Sequence, residues 1–179
     1  MTAGSWAPLV IVLMGVAGCG KSTTGNSLAK ALDWPFRDAD SFHPAANIEK
    51  MRSGLPLSDE DRAPWLGAIA QWIDERIGAR EPGIVSCSAL KRAYRQRIIG
   101  ARRDVRLVYL RGSRDLIGRR LAARKHHFMP AALLDSQLAI LEEPQADERP
   151  LIVNVALPPK RVVATILARL GLAPTNGQA

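Results

Sequence analysis

The sequence predicts an α/β fold, in which parallel strands alternate with helices around a phosphate-binding loop. Residues 15–22 read G-V-A-G-C-G-K-S and match the pattern G-x-x-x-x-G-K-[ST] at every fixed position. The run L-V-I-V-L-M at 9–14 precedes this loop and is continuously apolar, which is typical of a strand buried on both faces. Leu28, Ala29 and Leu32 follow the loop at helical spacing. Strand, glycine loop and helix in this order are the context that the motif requires.

The length and composition of the chain predict one globular domain over residues 1–179. A chain of 179 residues can bury a substantial core, and its 47% hydrophobic and 23% charged residues are ordinary for a soluble protein. No apolar run reaches about 18 residues, so we expect no membrane span. Cys19 and Cys87 are too few for a disulfide framework and favour reduced thiols in a cytoplasmic protein. No Lys or Arg precedes Cys19, which argues against a lipoprotein signal.

The net charge of +8 indicates anionic ligands. Nucleic acid, an anionic membrane surface and small polyanionic substrates all fit such a charge balance. The basic residues gather at 91–106 and 111–125, but without the interleaved aromatic residues of a single-strand-binding groove. We therefore expect an enzyme with polyanionic small-molecule ligands, and neither a nucleic-acid partner nor a membrane partner.

The phosphate loop predicts a nucleotide site. Its glycines allow a tight turn in which backbone N–H groups point inward, and the helix that follows adds its positive amino end. Lys21 is predicted to reach the β- and γ-phosphates of a nucleoside triphosphate, and the Ser22 hydroxyl to bind Mg²⁺. The alternative, a glycine-rich turn without function, is disfavoured by the correct flanking elements. The predicted nucleotide-binding residues of the loop are Gly15, Val16, Ala17, Gly18, Cys19, Gly20, Lys21, Ser22 and Thr23.

Two carboxylates are predicted at the end of the second strand. The first helix is expected over 21–32, where the sequence D-W-P ends it, and a short strand over 36–38 follows. Asp38 and Asp40 are two residues apart and would project on the same side if the chain is extended. Open α/β sheets bind ligands at the carboxyl ends of their strands. A solvated turn is an equally good interpretation of these carboxylates from position alone.

The next segment predicts a short helix and a long one. The dipeptide H-P at 43–44 opens the short helix, which carries Asn47 and Lys50. Residues 58–61 read S-D-E-D and are similar to a capping box, but Pro64 is awkward deep inside a helix, so we expect the long helix to begin around this proline. Its predicted core stripe is Leu66, Ile69, Ile73 and Ile77, with Trp65 and Trp72 as packing residues.

A basic helix is predicted after the third strand. Residues 84–87 form that strand, and the helix is expected to begin at Ser88. Lys91 and Arg95, at i and i+4, would form an anion site near its amino end, although a solvated basic face is at least as good an interpretation. The remaining predicted elements are a fourth strand at 106–110, a fifth at 151–155, a final amphipathic helix at 159–170 and a disordered tail at 174–179.

A helical lid is predicted over about 115–141, between the fourth and fifth strands. Its first helix runs to about Arg124, with Ile117 and Leu121 inward and Arg120 and Arg124 on a shared face. The sequence K-H-H-F-M-P interrupts this helix, and a second helix is expected from Ala131 to Leu141. The lid arginines could stabilise charge on a transferring phosphoryl group. The adjacent histidines have no third metal ligand at useful spacing, so we do not expect a metal site there.

Blocks outside the phosphate loop resemble those of the gluconate kinases. The resemblance covers about residues 9–155, and its most specific parts are the His-Pro, Asn-Ile-Glu-Lys-Met and Cys-Ser-Ala-Leu-Lys blocks. The blocks that carry it are 14–22, 38–44, 47–51, 54–62, 64–66, 87–92, 94–95, 120–121, 123–125, 127–128, 136–137, 141–142 and Pro144. It implies a three-layer phosphate-loop kinase fold of the shikimate-kinase type, with a five-stranded parallel sheet, flanking helices and a mobile lid. It also implies ATP-dependent phosphorylation of D-gluconate at its 6-hydroxyl, and a homodimer.

The resemblance assigns roles to the predicted site residues. It implies that Lys21 and the loop hold ATP, and that Ser22 and, through water, Asp38 hold Mg²⁺. Asp40 is the candidate to accept or orient the proton of the attacking hydroxyl, and the choice between Asp38 and Asp40 as the base is left open. The predicted gluconate-binding residues are Asp40, His43, Asn47, Lys50, Lys91, Arg95 and His127. Arg120, Arg124 and His127 belong to the lid, and Arg120 and Arg124 are expected to bind the nucleotide. The predicted catalytic residues are Lys21, Asp40 and Arg124. Which cation meets the substrate carboxylate is left open.

Two other classes of function remain at this point. One is a kinase for another small metabolite, such as shikimate or a nucleotide, although no base-recognition pocket can be identified in the sequence. The other is a nucleotide switch or a nucleic-acid-binding module that exploits the positive charge. No Asn-Lys-x-Asp guanine signature follows the loop, which argues against a GTPase switch.

Overall fold

The computed structural model describes residues 9–123 and 131–175, with the side chains of 131–133 excepted. Strands and helices alternate along these residues. The strands are β1 Val10–Met14, β2 Phe36–Asp38, β3 Gly83–Ser86, β4 Val105–Arg111 and β5 Leu151–Asn154. The α-helices are α1 Lys21–Leu32, α2 Ala45–Arg52, α3 Asp59–Ala79, α4 Arg92–Ile98, α5 Arg114–Ala122, α6 Ala131–Ile140 and α7 Pro159–Leu170, and Ala39–Phe42 and Ala146–Glu148 are 3₁₀-helices. Within these ranges, no helix combines the length and apolarity that a membrane crossing requires.

The strands form one five-stranded sheet in the order β2-β3-β1-β4-β5, and every pair is parallel. Strand β1 lies at the centre, and all of its residues are buried. The parallel register aligns the carboxyl ends of the strands, so Met14, Asp38 and Ser86 lie at one edge of the sheet. This arrangement confirms the predicted five-stranded parallel sheet and brings the phosphate loop and the end of β2 to the same edge.

The central strand divides the core into two halves. Ile11 and Leu13 face one side, where α1 and α7 pack, whereas Val10, Val12 and Met14 face the other side, where α3 and α4 pack. Helices therefore cover both faces of the sheet, and the predicted three-layer architecture is confirmed. Trp65 and Trp72 are buried in the second half, as their predicted packing role requires.

Helix α3 begins earlier than the sequence predicts. We expected it to start around Pro64, but it starts at Asp59 and contains this proline. The reason is a complete capping box, in which the Ser58 hydroxyl accepts from the Asp61 amide and the Asp61 carboxylate accepts from the Ser58 amide. Because the box satisfies the first free amides, a helical turn is already formed before the proline removes one backbone donor.

Helix α4 begins later than predicted, at Arg92 rather than Ser88. Ala89 adopts a left-handed backbone conformation with φ 45, which interrupts a helix at that point. Residues 88–91 are therefore a loop after β3, and Lys91 is the residue that caps α4.

Arg95 is predicted to bind an anionic ligand, but the structure shows its guanidinium buried and paired within the protein. Arg95 is 2% exposed. Its Nε and Nη2 donate to the two carboxylate oxygens of Glu148 at 2.5 and 2.9 Å, and Nη1 donates to the carbonyls of Ala89 and Leu90 at 3.0 and 3.1 Å. Each guanidinium nitrogen thus has an internal acceptor. Arg95 joins α4, the loop after β3 and the 3₁₀-helix before β5.

We predict that Gly25→Ala destabilises the protein by about 1–3 kcal/mol, because overpacking of a tight core forces neighbours to move. Gly25 is buried in α1, and a Cβ there would lie 2.3 Å from the ring of Phe36. Gly78→Ala in α3 is the matched control, since no atom lies within 4 Å of its added Cβ. The control should gain up to about 1 kcal/mol of helix stability. Urea denaturation checks both, and equal stabilities of the two variants would contradict the packing explanation.

We predict that Glu148→Gln destabilises the fold by about 3–5 kcal/mol, since it leaves the buried Arg95 charge without its counter-ion. Burial raises the pKa of Glu148, but the hydrogen bonds from Arg95 and the Gln145 amide, together with the charges of Arg95 and Arg92, hold this pKa below the ordinary value. The stabilisation is therefore complete above the ordinary glutamate pKa and is lost as the pH falls through the lowered one. Denaturation at neutral pH and at about pH 3 should show a difference that shrinks in acid. Asp135→Asn, which breaks an exposed pair with Arg114, should change little.

Candidate active site

The phosphate loop connects β1 to α1 in a conformation that needs glycine at particular positions. Gly18 and Gly20 have φ of 82 and 101, in the left-handed region where side chains are strained. A Cβ at Gly18 would also lie 2.7 Å from the Leu121 side chain of α5. The glycines of the motif therefore serve both the turn and the close approach of α5 to the loop.

Lys21 lies at the mouth of this loop. Its Nζ donates to the carbonyls of Gly15 and Val16 at 2.8 and 3.1 Å, so the ammonium is held against the loop backbone. Helix α1 begins at Lys21. The amino end of the helix and the lysine charge thus converge on one point, which makes this an anion site suited to phosphates.

Ser22 and Asp38 are brought together beside the loop. The Ser22 hydroxyl donates to Asp38 Oδ2 at 2.9 Å, across the gap between α1 and the end of β2. Both groups offer oxygen atoms, which is the donor chemistry that Mg²⁺ prefers. Among the described residues, no group of three or more His, Cys, Asp or Glu side chains could hold a metal. A site with few protein ligands fits Mg²⁺, which keeps several waters.

Asp40 reaches the same edge by a different route from the one predicted. We expected Asp38 and Asp40 to project together from an extended chain, but Asp40 lies in the 3₁₀-helix Ala39–Phe42. Asp38 caps this helix by accepting from the Asp40 amide at 3.2 Å. The Trp65 indole donates to the carbonyl of buried Ala39 at 2.7 Å and so holds this 3₁₀-helix from its buried side. Asp40 is left exposed at the carboxyl edge of the sheet.

His43 and Asn47 form a packed polar pair in the segment that follows Asp40. We call this pair, together with Lys50, Lys91 and the first turn of α3, the acceptor-side cluster, because the predicted substrate-binding residues lie here. The His43 ring stacks on Trp65, with centroids 4.5 Å apart and planes 9° apart. Asn47 is buried, and its amide nitrogen lies 3.4 Å from His43 Nδ1 and donates to the Asp61 carbonyl at 2.8 Å. Burial lowers the pKa of His43, against the opposing charge of Asp40. The lowered pKa favours the neutral imidazole, which offers hydrogen bonds rather than a positive charge.

The predicted substrate lysines are held by the acidic first turn of α3. Lys50 donates to Asp61 at 2.5 Å, and Lys91 donates to both carboxylate oxygens of Asp59 at 2.7 and 3.0 Å. The hydrogen bond from Lys50 lowers the pKa of Asp61 to about 2. Tyr94 also donates to Asp59. These lysines are partly exposed, so a ligand can reach them, unlike Arg95.

Sequence reasoning missed several residues of this cluster. Arg62 lies 3.7 Å from Asp59, and its guanidinium lies 5.9 Å from the Tyr94 ring centroid. The charge of Arg62 contributes to the lowered pKa of His43, which places it among the acceptor-side groups. Asp59, Asp61 and Tyr94 belong here as well. These residues lie within the sequence blocks that resemble the gluconate kinases, so the blocks could have drawn attention to them. Their roles, however, depend on contacts between α2, α3 and α4.

A cavity of about 300 Å³ adjoins the phosphate loop at Gly18, Cys19 and Gly20. Thr23 and Arg120 line it, together with the segment that follows β5. Arg120 donates to the Val155 carbonyl at 2.6 Å, so its guanidinium is fixed at the cavity wall. Burial raises the pKa of Cys19, and this thiol packs beneath the loop. The full lining is Gly18, Cys19, Gly20, Thr23, Thr24, Arg120, Ala123, Val155, Leu157, Pro159 and Val162.

The structure describes the two helices of the predicted lid but not the segment that joins them. Helices α5 and α6 lie between β4 and β5, and Ile117 and Leu121 are buried as expected. The predicted lid residues Arg124 and His127 lie outside the described residues. Most of the predicted tail at 174–179 does too.

Comparison with known proteins identifies the family. The family profile described as an AAA domain matches residues 10–144. A gluconokinase of Gluconobacter oxydans strain 621H is 46% identical over 141 residues, which is 79% of each chain. The crystal structure of a gluconokinase from Sinorhizobium meliloti 1021 superposes with a TM-score of 0.81 at 45% identity, covering 92% of each chain. A shikimate kinase from Bacteroides thetaiotaomicron shares the fold alone, with a TM-score of 0.66 at 19% identity over 92% of this chain and 99% of the other.

The profile match over residues 10–144 includes the phosphate loop, the residues from His43 to Tyr94 and the helices between β4 and β5. The match to the curated relative and the profile each cover well over half of the chain. The chain therefore belongs to the gluconokinase family and has the fold of the phosphate-loop kinases.

Proposed function

We propose that the protein transfers the terminal phosphate of ATP to the 6-hydroxyl of D-gluconate, giving 6-phospho-D-gluconate and ADP. The observation that carries the proposal is the meeting of two groups of residues at one sheet edge. One is the phosphate loop with Lys21, and the other is the polar cluster of His43, Asn47 and the lysines beside α3. Relatives that are similar over most of the chain are named gluconokinases.

The acceptor-side cluster suits a sugar acid. Gluconate carries one carboxylate and a row of hydroxyls, so its site needs a cation and several neutral hydrogen-bonding groups. Lys50, Lys91 and Arg62 are partly exposed cations, and each is already paired with a carboxylate of α3. His43 and Asn47 supply neutral groups. A substrate carboxylate that competes with Asp59 or Asp61 for these cations would be bound without burying an unpaired charge.

Asp40 is the proposed group that accepts or orients the proton of the attacking hydroxyl. Its exposure leaves the carboxylate free to meet a substrate. The buried Cys87 thiol offers indirect support for its position. Burial raises the pKa of Cys87 to about 12, and the charges of Lys21, Asp40 and Asp38 all act on it. These three groups therefore lie near enough to Cys87, which follows the end of β3, for their charges to act on it.

Ser22 and Asp38 are the proposed holders of Mg²⁺, Asp38 through water. The ion would neutralise charge on the β- and γ-phosphates when the nucleotide is bound. Lys21 and the loop amides would orient the phosphates, and the cavity lined by Thr23 and Arg120 would take the nucleoside. We further propose that Arg124 and His127 act from the lid.

Three broader properties are also proposed. The chain is expected to act as a single domain over 1–179, to form a homodimer and to work in the cytoplasm. Its two cysteines are free and buried, which suits a reducing compartment. Light scattering during size-exclusion chromatography checks the homodimer.

The substrate prediction is that gluconate is phosphorylated at least about 10²-fold more efficiently than shikimate or nucleoside monophosphates. The physical reason is that a site built for several hydroxyls leaves buried polar groups unpaired with other acceptors. A coupled ADP-release assay across sugar acids, shikimate and nucleotides, with product identification, measures it. Lys21→Met removes the charge at the loop mouth and should abolish turnover. Preference for shikimate or a nucleotide would select the rival kinase function.

The catalytic prediction concerns Asp40→Asn, which keeps the size of the side chain but removes its charge. We expect kcat for gluconate to fall by roughly 10²–10⁴-fold, the usual contribution of a positioned acid–base group. Asp33→Asn is the control, since Asp33 is an exposed carboxylate at the left-handed C-cap of α1, a conformation that Asn accepts. Steady-state kinetics at saturating ATP measure kcat for the wild type and for both variants. An Asp40→Asn enzyme within about threefold of wild type would rule out this role.

A further inference from the structure

One backbone amide of the phosphate loop is bound by a side chain from far along the sequence. The Ala17 amide donates to Gln137 Oε1 on α6 at 2.7 Å, across 120 positions of the chain. By contrast, the Cys19 amide donates to the Val16 carbonyl, and the Thr24 amide donates to the Gly20 carbonyl. The contact therefore joins the loop to α6 directly.

Helix α6 is held at several points, so Gln137 is presented from a fixed support. Leu134, one turn before it, is 2% exposed and packs in the same core half as Ile117 and Leu121 of α5. Asp135 accepts two hydrogen bonds from Arg114, at 2.6 and 2.9 Å.

The chain just after α6 is tied down as well. The Glu142 amide donates to the Leu90 carbonyl at 2.9 Å, and the Glu142 carboxylate accepts from the Arg92 amide at 2.5 Å. Leu90 belongs to the loop after β3, which itself contacts the phosphate loop where the Gly15 amide donates to the Ser88 carbonyl. Gln137 thus completes a ring of contacts around the loop.

The residue type at this position is informative. A glutamine accepts a hydrogen bond without adding negative charge beside an anion site, and it keeps two N–H donors on the same amide group. A glutamate would accept more strongly, but it would repel the phosphates that the loop binds. An apolar residue would leave the Ala17 amide without this partner.

We propose that Gln137 is a positioning residue for phosphate transfer, which fixes the Ala17 amide against α6 so that the loop and this helix act as one rigid cradle for the terminal phosphate. The proposal rests on the proposed kinase function, because the loop is taken to hold ATP. Residues 136–137 are one of the blocks that resemble the gluconate kinases, but neither the acceptor-side cluster nor the nucleotide cavity explains this block. The proposal gives a role to its glutamine.

The first test is Gln137→Leu, studied by hydrogen exchange on the nucleotide-free protein. Exchange at the Ala17 amide should quicken by roughly three- to tenfold, the factor that one hydrogen bond represents. At saturating ATP, kcat should fall by about ten- to hundredfold, as misplaced reacting groups cause, while KM for gluconate stays near wild type. Gln71→Leu is the control, since Gln71 bonds only Glu75 among the contacts described for it on α3 and should change neither readout.

The second test is Gln137→Glu, which separates positioning from packing. It retains an acceptor for the Ala17 amide, so exchange there should remain within about twofold of wild type. Its charge should raise KM for ATP by at least about tenfold.

Unchanged exchange and kcat in Gln137→Leu would overturn the proposal, and a faster enzyme with tighter ATP binding would reveal an inhibitory plug instead. Hydrogen exchange at the Ala17 amide is measured without substrate. Its result therefore tests the role of Gln137 independently of the gluconate assay, which tests the proposed kinase function of the wild-type protein.

Discussion

The burial of β1 on both faces is the constraint on which the rest of the structure depends. A strand with no exposed side chain needs a neighbouring strand on each side and helices above and below it, and β1 has both. Its carboxyl end then opens directly into the phosphate loop, and its neighbours β3 and β4 end at the same edge. The anion site is therefore placed by core packing, before any contact with a ligand.

The acidic first turn of α3 organises the acceptor side in a comparable way. Asp61 closes the capping box and at the same time holds Lys50, whereas Asp59 holds Lys91 and Tyr94. One helical turn thus fixes its own start and two cations from separate elements. The cations remain partly exposed, so this turn can hold them in place for an anionic substrate without hiding them.

The helices between β4 and β5 contact the phosphate loop through small, specific features. Leu121 of α5 lies 2.7 Å from the position that a Cβ on Gly18 would take, and Gln137 of α6 binds the Ala17 amide. A change in the conformation of the loop would therefore alter its contacts with both helices, and a shift of either helix would alter the loop. This physical continuity is what a kinase needs if closure around the nucleotide is to align the reacting groups.

The sequence by itself determined the features that local periodicity and motif spacing encode. Helices α1 and α7 have the predicted bounds, and the phosphate loop, the parallel sheet and the family follow from patterns within short windows. Tertiary structure decided which charged residues are free to meet a ligand. Arg95 looked like Lys91 in sequence, yet it is buried against Glu148, 53 positions away. Pro64 looked like a helix start, yet the capping box formed earlier. Gln137 contacts Ala17 only because the fold carries α6 to the phosphate loop. Burial and long-range pairing depend on which elements pack together, and no local pattern contains that information.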